Sequence, residues 1–370
     1  MYTHHKQVGV DVLDSNRLFR FRSCFPEGVN NFLILDDRNI FYFTGFSGAS
    51  AFLVPLDGEC VLYVRGTNFE QACHEVKNVR VELLGFGESL FQRLRCDVSV
   101  SVGAKLAVDF VGVDVWLGLV GVFGGGCVVL GGDVIKGLRA VKSSGEVECI
   151  RRACEIADVG MRVAGEVIGV GVSELDVLAE VEYAMRRAGS GGVAFDTIVS
   201  SGVGSAFPHG ACVRRVIGEG DLVVVDLGAV FGGYRSDVTR TFVAGRVSGR
   251  HREVFDVVML AHDLAFEAVR SGVLCSEVDR IAREFLVRVG FGDCFVHNLG
   301  HGVGLDIHEA PVLGPNSRDV LKVGSVVTIE PGVYVVGFGG VRIEDTVLVT
   351  ENGLERLTGV GYCLDCFSKV

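Results

Sequence analysis

With 370 residues and a mass of 39.6 kDa, the chain is too long for one average domain and comfortable for two. A hydrophobic content of 49% with 22% charged residues excludes global disorder. Lys+Arg 35 against Asp+Glu 46 leaves a net charge of −11, and without a basic field nucleic acid is not an expected partner. Lys6, Asp11 and Asp14 interrupt the first residues before an apolar run can form, so no secretory signal is expected and a cytoplasmic location is. Residues 31–130 then alternate β-prone runs (32–35, 51–54, 61–64, 105–110) with segments of helical character (68–76, 88–94), which predicts an α/β layer with its own core. Val115 to Gly132 is 18 residues without a charge, the trigger length for a membrane span, but seven of them are glycine. The stretch reads as a short buried helix, a turn at Gly124-Gly125-Gly126 and a strand from Cys127 to Leu130.

The pattern changes near residue 140, which divides the chain into domains 1–139 and 140–370. Ser143 to Glu146 fits a capping box, followed by an apolar stripe at Ile150, Ala153, Cys154, Ala157 and Met161. Glu148, Arg151, Arg152, Glu155 and Asp158 would fill the solvent face. Helices at 146–166 and 173–189 precede strands near 192–200 and 221–243, and helices at 251–271 and 276–289 precede strands near 323–336 and 340–349. Ser173-Glu174-Leu175-Asp176 and Ser276-Glu277-Val278-Asp279 mark the second helix of each half alike. Two helix pairs, each with a hairpin, predict a pseudo-twofold α+β domain with its site between the halves. The twelve cysteines are scattered among apolar neighbours, and Cys363/Cys366 alone supply too few ligands for zinc.

The chemistry concentrates in this second domain. Val223-Val224-Val225-Asp226 and Asp237-Val238-Thr239 flank Gly232-Gly233, reading as a hairpin with the two aspartates opposed. Like charges facing across strands destabilise a sheet, so either the register slips and both are solvated or something neutralises them. The geometry recurs with Glu330 and Glu344 on either side of Gly337-Phe338-Gly339-Gly340. Four carboxylates in one cleft are balanced, charge for charge, by two divalent cations. His209, His297, His301 and His308 are four of the nine histidines, and Gly300, Gly302 and Gly304 would let the backbone approach a ligand. His4, His5, His74, His251 and His262 read as ordinary structural residues. The Gly-His-Gly-Val-Gly segment lacks the spacing of a dinucleotide loop.

In the order Asp226, Asp237, His301, Glu330, Glu344, with Phe207-Pro208-His209-Gly210 upstream and the 300–309 segment, the chain resembles the M24 metallopeptidases. Asn39 to Gly48 and Leu138 to Ser143 are similar to the N-terminal domain and the domain junction of that family's proline-specific branch. The resemblance implies a creatinase-like α/β domain followed by a pita-bread domain, a homodimer, and peptide substrates with proline at the second position. It implies that Asp237 and Glu344 bridge two metals, that Asp226 chelates one, and that His301 and Glu330 hold the other. A metal-bridging hydroxide would attack the scissile carbonyl, with Glu330 as proton shuttle and His209 and His308 on the amide and the developing oxyanion. His297 joins the substrate-binding set. Arg342, on the same strand face as Glu344, either binds substrate or orients the ligands through an ion pair. Oxygen-rich ligation favours Mn²⁺, with Co²⁺, Fe²⁺ or Zn²⁺ as candidates.

Prolidases commonly place an arginine after His-Glu-x-Pro, and here His308-Glu309-Ala310-Pro311 is followed by Val312. On that residue an Xaa-Pro aminopeptidase is the expected activity and an Xaa-Pro dipeptidase the alternative. A non-catalytic binding module or a metal-free creatinase-like hydrolase is disfavoured, because no ligand residue type is missing.

Overall fold

The computed structural model describes residues 16–98 and 104–365, and the chain divides into two compact units at Arg139/Ala140. Lys6, Asp11, Asp14, His4, His5 and Cys366 lie outside the described residues.

The first unit is a mixed six-stranded sheet of β1 (Val29–Ile34), β2 (Ala51–Pro55), β3 (Val61–Arg65), β4 (Arg80–Leu84), β5 (Lys105–Val108) and β6 (Val128–Leu130). The strand order is β4-β3-β2-β1-β5-β6, with β1–β2 and β2–β3 antiparallel and the other pairs parallel. The helices are α1 (Arg17–Ser23), α2 (Asp37–Thr44), α3 (Gly66–Glu75), α4 (Leu90–Asp97), α5 (Val113–Phe123) and α6 (Gly132–Arg139). The Asp36 carboxylate accepts from Arg38 N and Asn39 N to start α2, and Gly45 at φ 68° ends it. β4 escaped the sequence reading because it is an edge strand, exposed or half-buried until Leu84.

Helix α5, the turn and β6 follow the expected order, and Gly124 at φ 90° ends the helix. The helix is not buried, however. Only Leu119 is, while Val113 and Leu117 are exposed, because α5 covers one side of the sheet edge where β6 has no further neighbour. No helix among the described residues is long and apolar enough to cross a membrane.

In the second unit, α7 (Ser144–Val167) carries the Ser143/Glu146 capping box, and all five residues of the anticipated stripe are buried. Asp158 departs from expectation: it is buried and accepts from Gly359 N (2.6 Å) and Val360 N (3.3 Å), tying a late segment to the helix. Helix α8 (Glu174–Arg187) is capped by Ser173. In α10 (Cys275–Arg288), which follows α9 (Gly249–Ala268), Ser276 already lies inside the helix. Cys275 N donates to Asp319 O and Leu274 bridges Val320, just as Glu174 N donates to Arg215 O and Ser173 bridges Val216, but only α8 adds a side-chain cap, because Leu274 stands where Ser173 does. The helix pairs therefore repeat, but their Ser-Glu-x-Asp stretches are not equivalent.

Strands β7 (Ile198–Ser201), β8 (Leu222–Leu227) and β11 (Val238–Val243) form one sheet, and β9 (Val230–Phe231) pairs with β10 (Tyr234–Arg235). The other half joins β12 (Gly300–Gly302), β13 (Glu309–Leu313), β14 (Val326–Ile329), β17 (Asp345–Thr350) and β18 (Gly353–Arg356), while β15 (Gly332–Val335) pairs with β16 (Gly339–Arg342). Each half packs its helix pair on its own sheet, Ala157, Met161, Val177 and Val181 against Val223 and Val225 in one, Val258, Ala261 and Val278 against Val327 and Val347 in the other.

Each long hairpin is a ladder broken midway, between β8/β11 and β9/β10 and again between β14/β17 and β15/β16. In the second, the common register of both ladders sets Glu330 opposite Glu344. In the first, Asp226 faces Thr239 and not Asp237. The turn is centred on Gly232-Gly233, both at positive φ, so Asp237 lies opposite Gly228 and diagonal to Asp226 on the same face.

Candidate active site

The two ladder breaks and β12 surround a cavity of about 550 Å³. It is lined by Asp226, Asp237, Glu330, Glu344 and His301, with His209, His297, His308 and Arg342 around them. All of the residues expected at the site thus reach one cavity. Donor atoms of Asp237, His301 and Glu344 lie within 4.8 Å of one another, close enough to share an ion.

Local folding aims each group. His301 Nδ1 lies 3.1 Å from Gly302 O, and since a carbonyl can only accept, Nδ1 carries the proton. In cation-free protein a protonated Nε2 donates to Glu330 Oε1 at 3.2 Å, with Asp237 Oδ2 at 3.6 Å, and loss of that proton would leave a lone pair aimed among the same carboxylates. His297 Nδ1 likewise donates to Asn298 O (2.7 Å), so its Nε2 accepts from Tyr334 OH (3.0 Å). Thr328 Oγ1 accepts from His301 N and donates to Glu330 Oε1, and Thr239 Oγ1 donates to Glu344 Oε2 (2.7 Å).

Arg342 is buried and its ion pair goes to Asp226 Oδ2, 2.6 Å from Nη2. It also donates to Tyr334 OH (2.8 Å), Pro208 O (3.3 Å) and Thr239 Oγ1 (3.1 Å). Asp226 Oδ1, on the other side of the same carboxylate, is buried without a hydrogen-bond partner.

Charge crowding governs the titration. Burial, then repulsion from Glu344, Asp226 and Glu330, holds the Asp237 carboxyl well above the usual range. Burial, then Glu330 and Asp226, does the same to Glu344. Burial also opposes ionisation of Glu330, but the hydrogen bond and charge of His301 prevail and pull it down to about 2. Burial would lower His301, yet Glu330 outweighs it and raises the imidazole. Desolvation, then the charge of His301, pushes His308 down. Burial pushes Tyr334 up to about 12, so its hydroxyl stays protonated.

An orphaned carboxylate oxygen, an imidazole nitrogen aimed among carboxylates and two carboxyls that cannot ionise together are what divalent cations would relieve, so the residues fit a metal centre. The glycines of the 300–304 segment serve a different purpose from the expected one. A Cβ on Gly300 would sit 2.1 Å from Thr328 O, and one on Gly302 2.3 Å from Ala310 O, so they admit neighbouring chain and not a ligand. Among the histidines set aside, His74 is exposed on α3 and His251 accepts from Ser248 N as part of a helix cap. His262 is buried 3.1 Å from Asp345.

Sequence reasoning missed Tyr334, Thr239 and Thr328. Tyr334 and Arg342 pair with Gly340 and Gly332 in the β15–β16 ladder, and alternation along it is the signal that could have found Tyr334. The two threonines look like ordinary strand residues until their partners are known.

Residues 148–351 match the family pattern described as Metallopeptidase family M24, and residues 25–141 match the Creatinase/Prolidase N-terminal domain. The chain is 42% identical over 344 residues to an Xaa-Pro dipeptidase of Pyrococcus furiosus, covering 89% of this chain and 93% of that one. Its fold is similar to the crystal structure of the prolidase from Pyrococcus horikoshii OT3, with a TM-score of 0.89 and 35% identity over 95% of this chain and 100% of that one. It is also similar to the crystal structure of an X-Pro aminopeptidase from Thermotoga maritima MSB8, with a TM-score of 0.83 and 34% identity over 91% and 97%.

Proposed function

The chain belongs to metallopeptidase family M24, and from that premise we propose that it is an Xaa-Pro dipeptidase whose catalytic groups lie in domain 140–370. The 42% identity to the Pyrococcus furiosus dipeptidase, along nearly the whole length of both chains, carries the reading. It reverses the order suggested by Val312 alone, which put the aminopeptidase first.

In this reading Asp226, Asp237, His301, Glu330 and Glu344 hold two divalent cations, with Mn²⁺ the first choice for an oxygen-rich set. When bound, the cations supply Lewis acidity and lower the pKa of water from about 15.7 toward roughly 7. The chain's own groups do the rest. Glu330, whose Oε1 accepts from Thr328 Oγ1, would accept a proton and pass it to the leaving proline nitrogen. His308 and His209 donate to the scissile amide and to the oxyanion as it develops. Arg342 fixes one oxygen of Asp226, which leaves the other aimed for ligation. His297 is held by Tyr334 at the cavity wall.

One observation favours the aminopeptidase as a second reading. Val312 lines the cavity, and four of the five N–H donors of Arg342 are already committed, so Arg342 offers little to a proline carboxylate. The deciding measurement is kcat/KM for Xaa-Pro, Xaa-Pro-Yaa and Met-Ala peptides at fixed Mn²⁺. A preference for the dipeptide of at least about tenfold, roughly 1.4 kcal/mol of transition-state stabilisation, is expected. Equal or faster cleavage of the tripeptide would make the enzyme an aminopeptidase. Faster cleavage of Met-Ala peptides would remove the proline requirement altogether.

Removing metal gives a pH-dependent result. Asp237 and Glu344 have folded pKa values raised above their unfolded ones, so in cation-free protein their contribution is intact at low pH and is lost as pH rises. Glu330 works the other way, but only below the ordinary carboxylate range. Cations compete with protons for these groups, so the Tm difference between Mn²⁺-loaded and chelator-treated protein should widen from about pH 5 to about pH 8. At a hundredfold excess of cation over Kd the stabilisation is about 2.7 kcal/mol. A gap that narrowed with rising pH would remove these carboxylates from the ligand set.

A further inference from the structure

Arg240 faces away from the cavity, is 2% exposed, and has every donor engaged. Nη1 donates to Thr239 O (2.8 Å) and Glu344 O (2.6 Å), Nη2 to Asp345 Oδ1 (2.8 Å) and Val360 O (2.7 Å), and Nε to Gly361 O (3.1 Å). Five N–H groups meet five acceptors, a pattern that the planar guanidinium can make and a lysine ammonium, with three donors, cannot. Those acceptors come from three separate stretches: β11, the start of β17 and the segment after β18.

The same junction is fastened from other directions. Glu344 N donates to Thr239 O (3.1 Å), and Thr241 Oγ1 exchanges hydrogen bonds with Arg342 N and O. Asp345, fully buried, balances the Arg240 charge and accepts from Thr358 Oγ1 (2.6 Å) and from Tyr362 OH. The Tyr362 ring lies 4.7 Å from the guanidinium carbon. Burying a cation is costly unless all its partners are present, and here two of those partners are the main-chain carbonyls at Thr239 and Glu344. Asp237 precedes Thr239 by two residues, and Glu344 is itself the second of the two carboxylates that the family resemblance makes bridging ligands.

We propose that Arg240 is a positioning residue that couples the 358–362 segment to the metal centre by fixing the backbones from which Asp237 and Glu344 project. The proposal rests on the assignment of those two carboxylates as ligands. A bridging carboxylate must be placed to within about 0.5 Å, so loosening this clamp is felt first in cation affinity.

The test uses the full chain and Mn²⁺ alone as probe, with calorimetric titration, Tm and the dependence of kcat on Mn²⁺ concentration. Arg240→Lys and Tyr362→Ala should each weaken Mn²⁺ binding by about 10–100-fold, the range for residues that orient metal ligands. Their kcat should recover as Mn²⁺ is raised. Val181→Ala, a packing loss on α8, which packs against α7 and β7, should lower Tm while leaving Mn²⁺ affinity unchanged, which separates positioning from general destabilisation. Unchanged affinity in both folded clamp variants would overturn the proposal, and if Arg240→Lys does not fold, Tyr362→Ala decides alone. Wild-type protein that bound no Mn²⁺ would overturn the metal centre itself, a different failure from wild-type affinity retained in the variants.

Discussion

Asp237→Asn is expected to reduce peptide hydrolysis by more than about 10³-fold, to eliminate dinuclear binding and to leave the fold intact. The substitution is nearly isosteric, and the position is held by its backbone, since Asp237 O accepts from Thr346 Oγ1 at 2.7 Å. What disappears is the anion placed within reach of both His301 and Glu344. A second consequence has the opposite sign. Asp237 sits among three other carboxylates that resist its ionisation, so the neutral amide relieves repulsion in cation-free protein. Chelator-treated Asp237→Asn should therefore melt at or above the temperature of chelator-treated wild type at neutral pH, while gaining far less on addition of Mn²⁺. Two bound cations and full activity in the variant would refute the ligand assignment.

His308→Ala is expected to lower kcat by roughly 10²–10³, the scale of losing one oxyanion donor, with metal content unchanged. The His308 ring meets the His301 ring edge-on, 4.2 Å between centroids, yet His308 is not in the group whose donors converge. Its pKa is pushed down by desolvation and by His301, so at neutral pH it is an uncharged imidazole with one N–H to offer. Losing a cation in this variant would move His308 into the ligand set, and an unchanged rate would remove it from the mechanism.

Much of this arrangement was legible before any coordinates, for identifiable reasons. The α7 stripe from Ile150 to Met161 repeats at helical period over about three turns, so its buried face declares itself. Glu330 and Glu344 are opposed across a break in pairing, and their near-symmetric spacing about a glycine turn was enough to see it. The offset between Asp226 and Asp237 was not legible in the same way, because their unequal distances from Gly232-Gly233 were read as equal, a difference of one diagonal step. Asp158 was misplaced on the solvent face because its partners, Gly359 and Val360, lie some 200 residues further along, beyond what local periodicity can report. Arg240 and His262 were silent for the same reason: one reads as an alternating strand residue and the other as a helix residue until Asp345 joins them. Dipeptide or longer substrate was beyond the residues considered singly, since Val312 says only what is missing at one position.

The broken ladders also impose an order in time. The five proposed ligands stretch from Asp226 to Glu344, and β17 must pair with β14 before Glu330 and Glu344 face each other. During translation the nascent chain therefore offers no complete nest for a divalent cation until its last long hairpin has emerged and closed. A complete set of the proposed ligands exists only in the assembled domain, so cation binding would favour that state over every partly paired one. Chelator present during refolding should therefore cost final stability in this domain more than it costs local hairpin formation.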